Sequence, residues 1–440
     1  MQILEWQNLD AAGRRAALAR PRADRSDEVI GQVRTIIAAV RGRGDAALRD
    51  YAREFDGVEL DSLQVMPAEF AAARTALAAL APAAPSALAT AIANVTAFHR
   101  AQLPAAINLE TQPGVRCERL WRPIQAVGLY VPAGSAPLPS TAIMLAVPAA
   151  LARCPQRILC TPARRDGRAD PAVLVAAQWC GIETVFKIGG AQAIAALAYG
   201  TATVPKVAKI FGPGNRWVTA AKQLVAADAD GAALDMPAGP SEVCVIADDS
   251  ANADFVAADL LAQAEHDALA QALLLTPSAE LAQRVATRVR ERAPALSRQS
   301  ILSASLANLR LIVVPDLAAA VRISEQYAPE HLLLQTRAPR ELLASISTAG
   351  SVFLGVWSPE TLGDYCSGTN HVLPTYGHAR AYSGLSVSDF LRSMTVQELS
   401  AAGLAALGPV AVTLARLEGL DAHAAAVETR LAALADGAAA

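Results

Sequence analysis

The stretch Thr184-Val185-Phe186-Lys187-Ile188-Gly189-Gly190-Ala191-Gln192 decides the fold class of this 440-residue chain. It opens with a short run rich in β-branched and aromatic residues, which is typical of a buried strand. Two glycines then mark a turn, and a helical pattern continues through Tyr199. A strand followed by a turn and a helix is the repeating unit of parallel α/β folds.

The same alternation extends along the chain from about residue 120. One series of predicted strands lies at 126–131, 157–160, 184–188 and 207–211, and a second at 243–247, 272–276, 309–314, 332–335 and 351–354. We predict an α/β protein with two consecutive Rossmann-like parallel-sheet modules, over 121–238 and 239–378. The flanking segments 1–120 and 379–440 are predicted to be helical, and the first is expected to pack on the second module.

Composition excludes several classes of protein. Hydrophobic residues make up 53% of the chain, which is too many for a disordered protein, and a formal net charge of −3 argues against nucleic acid as a main partner. The longest apolar run, at about 141–152, is interrupted by Pro148 and is too short to span a membrane. The N-terminus lacks the pattern of a signal peptide, and six cysteines without CxxC spacing suit a reduced, cytoplasmic compartment.

Two histidines lie beside other groups that can bind metal or transfer protons. Gln263 and His266 are three positions apart near the end of a predicted helix, so both can face one centre. A polar helix end that faces solvent is the alternative. Glu330 and His331 lie at a predicted helix-to-strand junction and would suit acid–base chemistry. For this pair a surface turn is an equally good explanation.

The polar segment 363–375, Gly-Asp-Tyr-Cys-Ser-Gly-Thr-Asn-His-Val-Leu-Pro-Thr, contains Asp364 and His371 in what we expect to be a loop. Loops on rigid scaffolds commonly carry binding and catalysis. With Gln263 and His266 these two residues make a nitrogen and oxygen ligand set that suits a divalent ion such as Zn²⁺. Spacing alone is not diagnostic, because such ligands meet only through the fold.

Two glycine-rich turns, at 189–192 and 212–215, follow predicted strands and open helices. At such positions backbone N–H groups and the helix dipole bind phosphate, although neither turn matches G-x-G-x-x-G and ordinary βα turns explain both. Ser241 lies at the boundary between the modules, where a ligand cleft is expected. His423 is a lone histidine on the tail, where a surface position is more common than a metal-binding one.

Six motifs together resemble those of the histidinol dehydrogenase family, and the resemblance covers nearly the whole chain. They are Gly-Gly-Ala-Gln at 189–192, Gly-Pro-Gly-Asn at 212–215, Gly-Pro-Ser-Glu at 239–242, Gln-Ala-Glu-His at 263–266, Pro-Glu-His at 329–331, and the thirteen-residue segment at 363–375.

The resemblance implies a homodimer with shared active sites and one Zn²⁺ per subunit, and it gives each polar residue a role. The implied metal ligands are Gln263, His266, Asp364 and, from the partner subunit, His423. The implied catalytic pair is Glu330 and His331. Together with these six residues, the substrate L-histidinol would contact Ser241, His371 and Glu418, and NAD⁺ would contact Tyr130, Gln192 and Asn215.

The resemblance also implies the chemistry, which is two successive NAD-linked oxidations from L-histidinol through L-histidinal to L-histidine, the last steps of histidine biosynthesis. Neutral His331 would take the hydroxyl proton in the first oxidation, and ionised Glu330 would deprotonate water in the second. Zn²⁺ would mainly position the substrate. A thiohemiacetal on Cys117 or Cys154 is disfavoured, because no histidine adjoins either in the sequence.

The chain departs from the family pattern in the loop implied to bind NAD⁺. Ala133 replaces a glycine and Leu138 replaces an aromatic residue that are usual there. If that glycine needs a positive φ, Ala133 would be strained.

Three alternatives stay open. A related zinc and NAD dehydrogenase of another polyol or a sulfonated diol would lack the groups implied to recognise imidazole, so the presence of Ser241, His371 and Glu418 favours histidinol. A zinc hydrolase would use Glu330 to activate water, but H-E-x-x-H is absent. A catalytically silent metal-stabilised scaffold would be expected to lose Glu330 or His331, and both are present.

Overall fold

A computed structural model describes residues 1–21, 27–133, 136–237 and 239–437. These residues divide into two compact units. The first comprises Met1–Gln102 with Ile124–Phe390, and the second comprises Leu103–Pro123 with Leu391–Ala440.

Fourteen strands occur in the described residues: β1 (Gln2–Glu5), β2 (Ile107–Gln112), β3 (Val115–Pro123), β4 (Ala126–Tyr130), β5 (Gln156–Cys160), β6 (Thr184–Phe186), β7 (Lys209–Phe211), β8 (Ala233–Leu234), β9 (Glu242–Ala247), β10 (Gln271–Thr276), β11 (Arg310–Val313), β12 (His331–Gln335), β13 (Ser351–Leu354) and β14 (Leu391–Leu399).

The α-helices of the same residues are α1 (Ala11–Ala17), α2 (Asp27–Arg43), α3 (Asp45–Tyr51), α4 (Pro67–Leu80), α5 (Ala84–Arg100), α6 (Pro139–Leu151), α7 (Pro171–Trp179), α8 (Gly190–Tyr199), α9 (Arg216–Ala226), α10 (Ala253–Ala264), α11 (Ala279–Arg292), α12 (Gln299–Ser305), α13 (Leu317–Tyr327), α14 (Pro339–Leu343), α15 (Glu360–Tyr365), α16 (Ala401–Leu417) and α17 (Asp421–Ala435).

The first sheet is parallel throughout and has the order β6-β5-β4-β7-β8. The chain therefore starts at the central strand β4, winds outward to β6, and returns to β7 on the other side. In such a doubly wound sheet a crevice opens at the carboxyl ends of the strands where the winding reverses. Tyr130 ends β4 and Gly212 follows β7, so both lie at that crevice.

The second sheet repeats this winding in the order β11-β10-β9-β12-β13, with β1 added in parallel beside β11. Every residue of β9, β10 and β12 is buried, because helices cover both faces of a parallel sheet. The predicted α/β class, with two consecutive parallel sheets, is confirmed.

The N-terminal helices pack differently from the prediction. Val33, Ile37 and Val40 on one face of α2 are buried in the same core as Ile194 and Leu197 of α8. Helix α4 contacts α7, and helix α5 contacts α6. Residues 27–100 therefore pack on the first sheet and not on the second. From the N-terminal region, β1 pairs with the second sheet, and Trp6, Leu9 and the end of α1 pack against its core. The spacing of Val33, Ile37 and Val40 in the sequence shows which face of α2 is apolar, but it carries no information on which partner covers that face.

The second unit contains an antiparallel sheet of order β14-β3-β2 and the helices α16 and α17. The prediction that segments 1–120 and 379–440 are helical is therefore wrong for 107–123 and 391–399. Strands β2 and β14 are largely exposed and β3 is mostly half-buried, and polar residues interrupt all three, so they lack the continuous apolar runs that marked the buried strands.

Within the described residues no single helix is long and apolar enough to cross a membrane. Helices α4 and α5 meet the length and composition requirement only as a pair, and the pair is bent by 112° at its break.

Candidate active site

Glu330 and His331 lie where α13 gives way to β12. Ala328 ends the helix in the left-handed conformation, with φ of 53°, and its N–H donates to the carbonyl oxygen of Ser324 at 2.6 Å. Pro329 then prevents the helix from continuing, so the next two residues enter the strand extended. Both side chains are buried, at 5% and 4% exposure, although both can ionise.

A single residue, Glu242, holds this pair through its backbone. Its N–H donates to Glu330 Oε2 at 2.9 Å, and its carbonyl oxygen lies 3.3 Å from His331 Nδ1. Since a carbonyl can only accept, Nδ1 carries the proton, and in the neutral ring Nε2 keeps its lone pair. Glu242 begins β9 and His331 begins β12, so this site lies at the amino ends of the second sheet.

The side chain of Glu242 is held in turn by a buried ion pair. Arg20 donates through Nε and Nη2 to its two carboxylate oxygens at 2.6 and 2.8 Å, and the Tyr327 hydroxyl donates to Oε2 at 3.1 Å. Arg20 also stacks over the Tyr327 ring, with its guanidinium carbon 3.9 Å from the ring centroid. Sequence reasoning missed both Arg20 and the role of Glu242, although Glu242 belongs to the Gly-Pro-Ser-Glu motif.

Glu330 and His331 both have perturbed pKa values. Burial raises the pKa of the Glu330 carboxyl group to about 8, although the nearby His331 opposes the shift. Burial disfavours a charged His331, but the carboxylates of Glu360, Glu330 and Asp364 outweigh burial and raise its pKa well above the usual range. A cation bound by Asp364 would offset part of this negative charge.

A cluster able to bind a metal adjoins the pair. Ligand atoms of His266, Glu360 and Asp364 lie within 4.8 Å of one another, and Asp364 Oδ1 is 3.4 Å from His331 Nε2. Gln263 is fully buried, yet neither atom of its amide has a hydrogen-bond partner among the described residues. Because a buried polar group without a partner is costly, these residues fit a site that a bound cation completes.

Two details of this cluster differ from the sequence prediction. Asp364 lies in the short helix α15 and not in a loop, and His266 lies two residues beyond the end of α10. Glu360 was not predicted, yet it precedes Asp364 by four positions, which places both on one face of α15. That spacing was the available signal. Burial tends to raise the pKa of Asp364, but the hydrogen bond and the charge of His331 outweigh burial. The pKa of Asp364 therefore lies below its usual value.

The predicted substrate residues of the first unit, except Gln263, line a narrow cleft of about 140 Å³. Its walls include Ser241, His266, Glu330, His331, Asp364 and His371. Burial lowers the pKa of His371 to about 4, so its ring is neutral near pH 7, and its Nε2 atom has no hydrogen-bond partner among the described residues. A neutral imidazole with a free nitrogen suits a polar ligand.

The predicted cofactor residues Tyr130, Gln192 and Asn215 line a second and larger cleft of about 1010 Å³. This volume suits a dinucleotide better than a small metabolite. His266 and Leu138 border both clefts, so the two spaces meet at these side chains. Ala133 also lines the larger cleft, whereas residues 134 and 135 of the same loop lie outside the described part of the chain.

Residues of both glycine turns line this larger cleft, and Gly212 of the second turn lines the narrow cleft. Tyr130 accepts a hydrogen bond from the N–H of Gly190 at 3.1 Å, at the first turn of α8. Gly212 has a φ of +120°, and a Cβ there would lie 2.1 Å from the carbonyl oxygen of Tyr130. Asn215 caps α9 by accepting from the N–H groups of Trp217 and Val218. The turn at 212–215 therefore requires both its glycine and its asparagine.

The remaining predicted residues lie elsewhere. Glu418 and His423 belong to the second unit, at the end of α16 and in the first turn of α17, and both are exposed. Cys117 lies in β3 of that unit. Cys154 is buried in the first unit, and burial raises the pKa of its thiol to about 11. A thiol of that pKa stays protonated near neutrality and is a poor nucleophile.

A doubly wound parallel sheet with a cleft large enough for a dinucleotide, next to a narrow cleft lined by the buried Glu330 and His331, is the arrangement expected of a dehydrogenase with a dinucleotide cofactor. The adjoining cluster of His266, Glu360 and Asp364 is able to bind a metal ion, which could hold a polar substrate beside these two residues.

Comparison with known proteins identifies the family. The family model described as histidinol dehydrogenase matches residues 18–431. The chain is 56% identical to the histidinol dehydrogenase of Xanthomonas euvesicatoria, over 98% of this chain and 99% of that protein, and 52% identical to that of Pectobacterium atrosepticum, over 98% and 96%. The crystal structure of histidinol dehydrogenase from Elizabethkingia anophelis superposes with a TM-score of 0.93 at 42% identity, covering 99% of this chain and 98% of that one.

The chain belongs to the histidinol dehydrogenase family. Its activity is the NAD-dependent oxidation of L-histidinol through L-histidinal to L-histidine. The alternative of a dehydrogenase for another polyol or a sulfonated diol is not supported.

Proposed function

We propose that Glu330 and His331 divide the two oxidations between them, with His331 as the base for the alcohol and Glu330 as the base for water. The proposal rests on one observation, which is that the backbone N–H and carbonyl of Glu242 form hydrogen bonds with the side chains of Glu330 and His331, respectively. Because its carbonyl accepts from His331 Nδ1, the lone pair of Nε2 is directed away from Glu242. When a cation bound by Asp364 offsets the carboxylate charge that otherwise raises the pKa of His331, Nε2 of the neutral ring would remove the hydroxyl proton as hydride leaves the carbon of L-histidinol.

In the second oxidation, water must add to the aldehyde carbon of bound L-histidinal. Glu330 in its ionised form would take one proton of that water while the oxygen bonds to the carbon. The addition gives the anion of the hydrate, which loses hydride to NAD⁺ and becomes the carboxylic acid, while the proton of the water stays on Glu330. NAD⁺ accepts one hydride in each oxidation. Keeping the aldehyde in a narrow cleft between the two steps would prevent its loss and its side reactions.

We further propose that Gln263, His266, Asp364 and the partner subunit's His423 hold one Zn²⁺. A bound zinc ion would supply a fixed positive centre that attracts the nitrogen atoms of the substrate and orients its hydroxymethyl group. Ser241, His371 and Glu418 would complete the substrate contacts. Tyr130, Gln192 and Asn215 would contact NAD⁺ at the carboxyl ends of the first sheet, where doubly wound folds bind nucleotides.

Metal analysis tests the ligand set. After dialysis, the wild-type protein should keep one zinc per chain, and Gln263→Ala and His423→Ala should each lose most of it while remaining folded. His378→Ala is a matched control, because it also removes an imidazole but lies outside both clefts. Full zinc retention in His423→Ala protein would overturn its role as a ligand.

A subunit-mixing experiment tests the shared site. Neither Gln263→Ala nor His423→Ala protein should be active alone. After the two variants are unfolded and refolded together, a mixed dimer would contain one site with an intact Gln263 and an intact His423 from the other chain. Recovery of activity is expected, and its absence would place His423 and Gln263 of the same chain in one site.

The cytoplasmic location and the absence of a nucleic-acid partner stay predictions.

A further inference from the structure

Helix α5 holds the segment that joins Asp364 to His371. The Asn94 side chain donates through Nδ2 to the carbonyl oxygen of Cys366 at 2.9 Å. Two residues after Cys366, Gly368 adopts a φ of +122°. A Cβ at this position would lie 3.0 Å from the carbonyl oxygen of Asn94 and 3.3 Å from Phe98 Cβ. The segment therefore lies directly against the helix, and only glycine fits that contact without adjustment.

A buried hydrogen-bond chain anchors the end of this segment. His99 of α5 is fully buried, and its Nδ1 atom lies 2.9 Å from the carbonyl oxygen of Val95. Because a carbonyl can only accept, Nδ1 carries the proton, and Nε2 of the neutral ring is an acceptor. Burial also lowers the pKa of His99, which keeps the ring neutral. The Asn370 amide lies 3.2 Å from that Nε2 and donates to it.

Asn370 is held on its other sides as well. Its Nδ2 also donates to the carbonyl oxygen of Met144 at 2.8 Å, and its Oδ1 accepts from the N–H of Val372 at 2.9 Å. The side-chain amide of Asn370 thus fixes its own residue and, through the N–H of Val372, the residue after His371. His371 lies between these two fixed residues. A buried amide with every bond satisfied specifies one conformation of the backbone that carries it.

We propose that His99 is a positioning residue for catalysis, which acts through Asn370 to hold His371 at the wall of the substrate cleft. The proposal rests on the proposed role of His371 in binding substrate. His99 lines neither cleft, so it does not touch the ligands. A small displacement of a binding group changes affinity and rate strongly, and α5 supplies the rigid support that a loop alone lacks.

The first test separates positioning from general stability. His99→Leu removes the acceptor for the Asn370 amide and fills the same space with an apolar side chain of similar volume. Its KM for L-histidinol should rise at least roughly tenfold, while zinc content and KM for NAD⁺ stay unchanged. Val95→Ala is the matched control, because Val95 is buried on the same helix and its truncation lowers the melting temperature without touching the acceptor. An unchanged KM in His99→Leu, or an equal rise in Val95→Ala, would overturn the proposal.

The second test separates failure of this proposal from failure of the role of His371. In a double-mutant cycle, His371→Asn alone should raise KM, and adding His99→Leu to it should have no further effect. If His371→Asn leaves KM unchanged, the substrate role of His371 is wrong. If the two effects simply add, His99 acts on another part of the protein.

Asn94→Ala serves if His99→Leu fails to fold, since Asn94 is exposed and its loss leaves the core intact. It removes the bond to Cys366 and should give a smaller rise in KM for L-histidinol. No rise in a folded Asn94→Ala protein would contradict the account of α5 as the support of this segment.

Discussion

The backbone N–H of Glu242 donates to Glu330 Oε2 at 2.9 Å, although the two residues are 88 positions apart in the chain. They meet because Glu242 begins β9 and Glu330 directly precedes β12, and these two strands are parallel neighbours. The winding of the second sheet thus places the acid–base pair beside the entry to its central strand. Dinucleotide clefts form at the carboxyl ends of such sheets, whereas the proposed acid–base pair lies at the amino ends of the second sheet.

Replacing Glu330 by Gln should slow the second oxidation far more than the first. Glutamine can still accept the N–H of Glu242, so the local structure is kept while the base is lost. The rate of L-histidinal oxidation should fall by about 10²–10⁴-fold, the usual value of a general base. Single-turnover measurements that start from L-histidinol and from L-histidinal would separate the steps. His331→Asn is the complementary variant and should stall the first step more. Equal losses in both steps would contradict the division of roles.

The second oxidation should also become faster as pH rises. Burial raises the pKa of Glu330 to about 8, and His331, Glu242 and Asp364 are the charged groups that act on it. The carboxyl group is thus mostly protonated at pH 7, and only the ionised form is a base. The single-turnover rate from L-histidinal should increase roughly tenfold between pH 7 and 9 and then level off. A rate already at its plateau at pH 7 would show that Glu330 is ionised there.

Removing the guanidinium that holds Glu242 should destabilise the protein. Arg20→Met leaves a carboxylate that is 1% exposed without its ionic partner. Breaking a buried pair in this way costs about 3–5 kcal/mol of unfolding free energy, which urea denaturation would measure. Arg53→Met is the control, because Arg53 is 59% exposed and its ion pairs lie at the surface. Equal shifts of the urea midpoint in the two variants would contradict the structural role of Arg20.

A methyl group at position 212 should distort the turn that ends at Asn215, a residue that lines the larger cleft, although Gly212 itself borders the narrow cleft. Gly212→Ala would force Cβ against the carbonyl oxygen of Tyr130 and strain the backbone at a φ of +120°. We expect a loss of about 2 kcal/mol or more in stability and a higher KM for NAD⁺. Gly42→Ala is the matched control, since Gly42 lies in α2 with open space around it, and should stabilise by about 0.5–1 kcal/mol. A normal KM for NAD⁺ in folded Gly212→Ala protein would contradict this account of the turn.

Much of the architecture could be predicted because each buried parallel strand appears in the sequence as a short run of apolar residues. The runs that became β9, β10 and β12 are buried along their whole length. By contrast, β1 is a mostly exposed edge strand of four residues, and β14 pairs with β3 across the sequence from Leu391 to Pro123. Exposed strands alternate polar and apolar residues weakly, and pairing over such a separation leaves no local trace.

The site could be predicted only as far as its residue types indicated chemistry. Glu330, His331, Asp364 and His371 were visible as polar groups in unusual local settings. The supports of these groups were not, because Arg20 meets Glu242 across 222 positions and His99 meets Asn370 across 271. An arginine or a histidine in a helical region has no local feature that identifies a distant partner.

The yield of NADH per L-histidinol tests the central claim most directly. With limiting L-histidinol, excess NAD⁺ and zinc-loaded protein, the account predicts two NADH for each substrate molecule consumed, with L-histidine as the product. For Glu330→Gln protein it predicts one fast NADH and a second that forms far more slowly. A wild-type yield of one, with L-histidinal accumulating, would contradict the claim that this site carries out both oxidations.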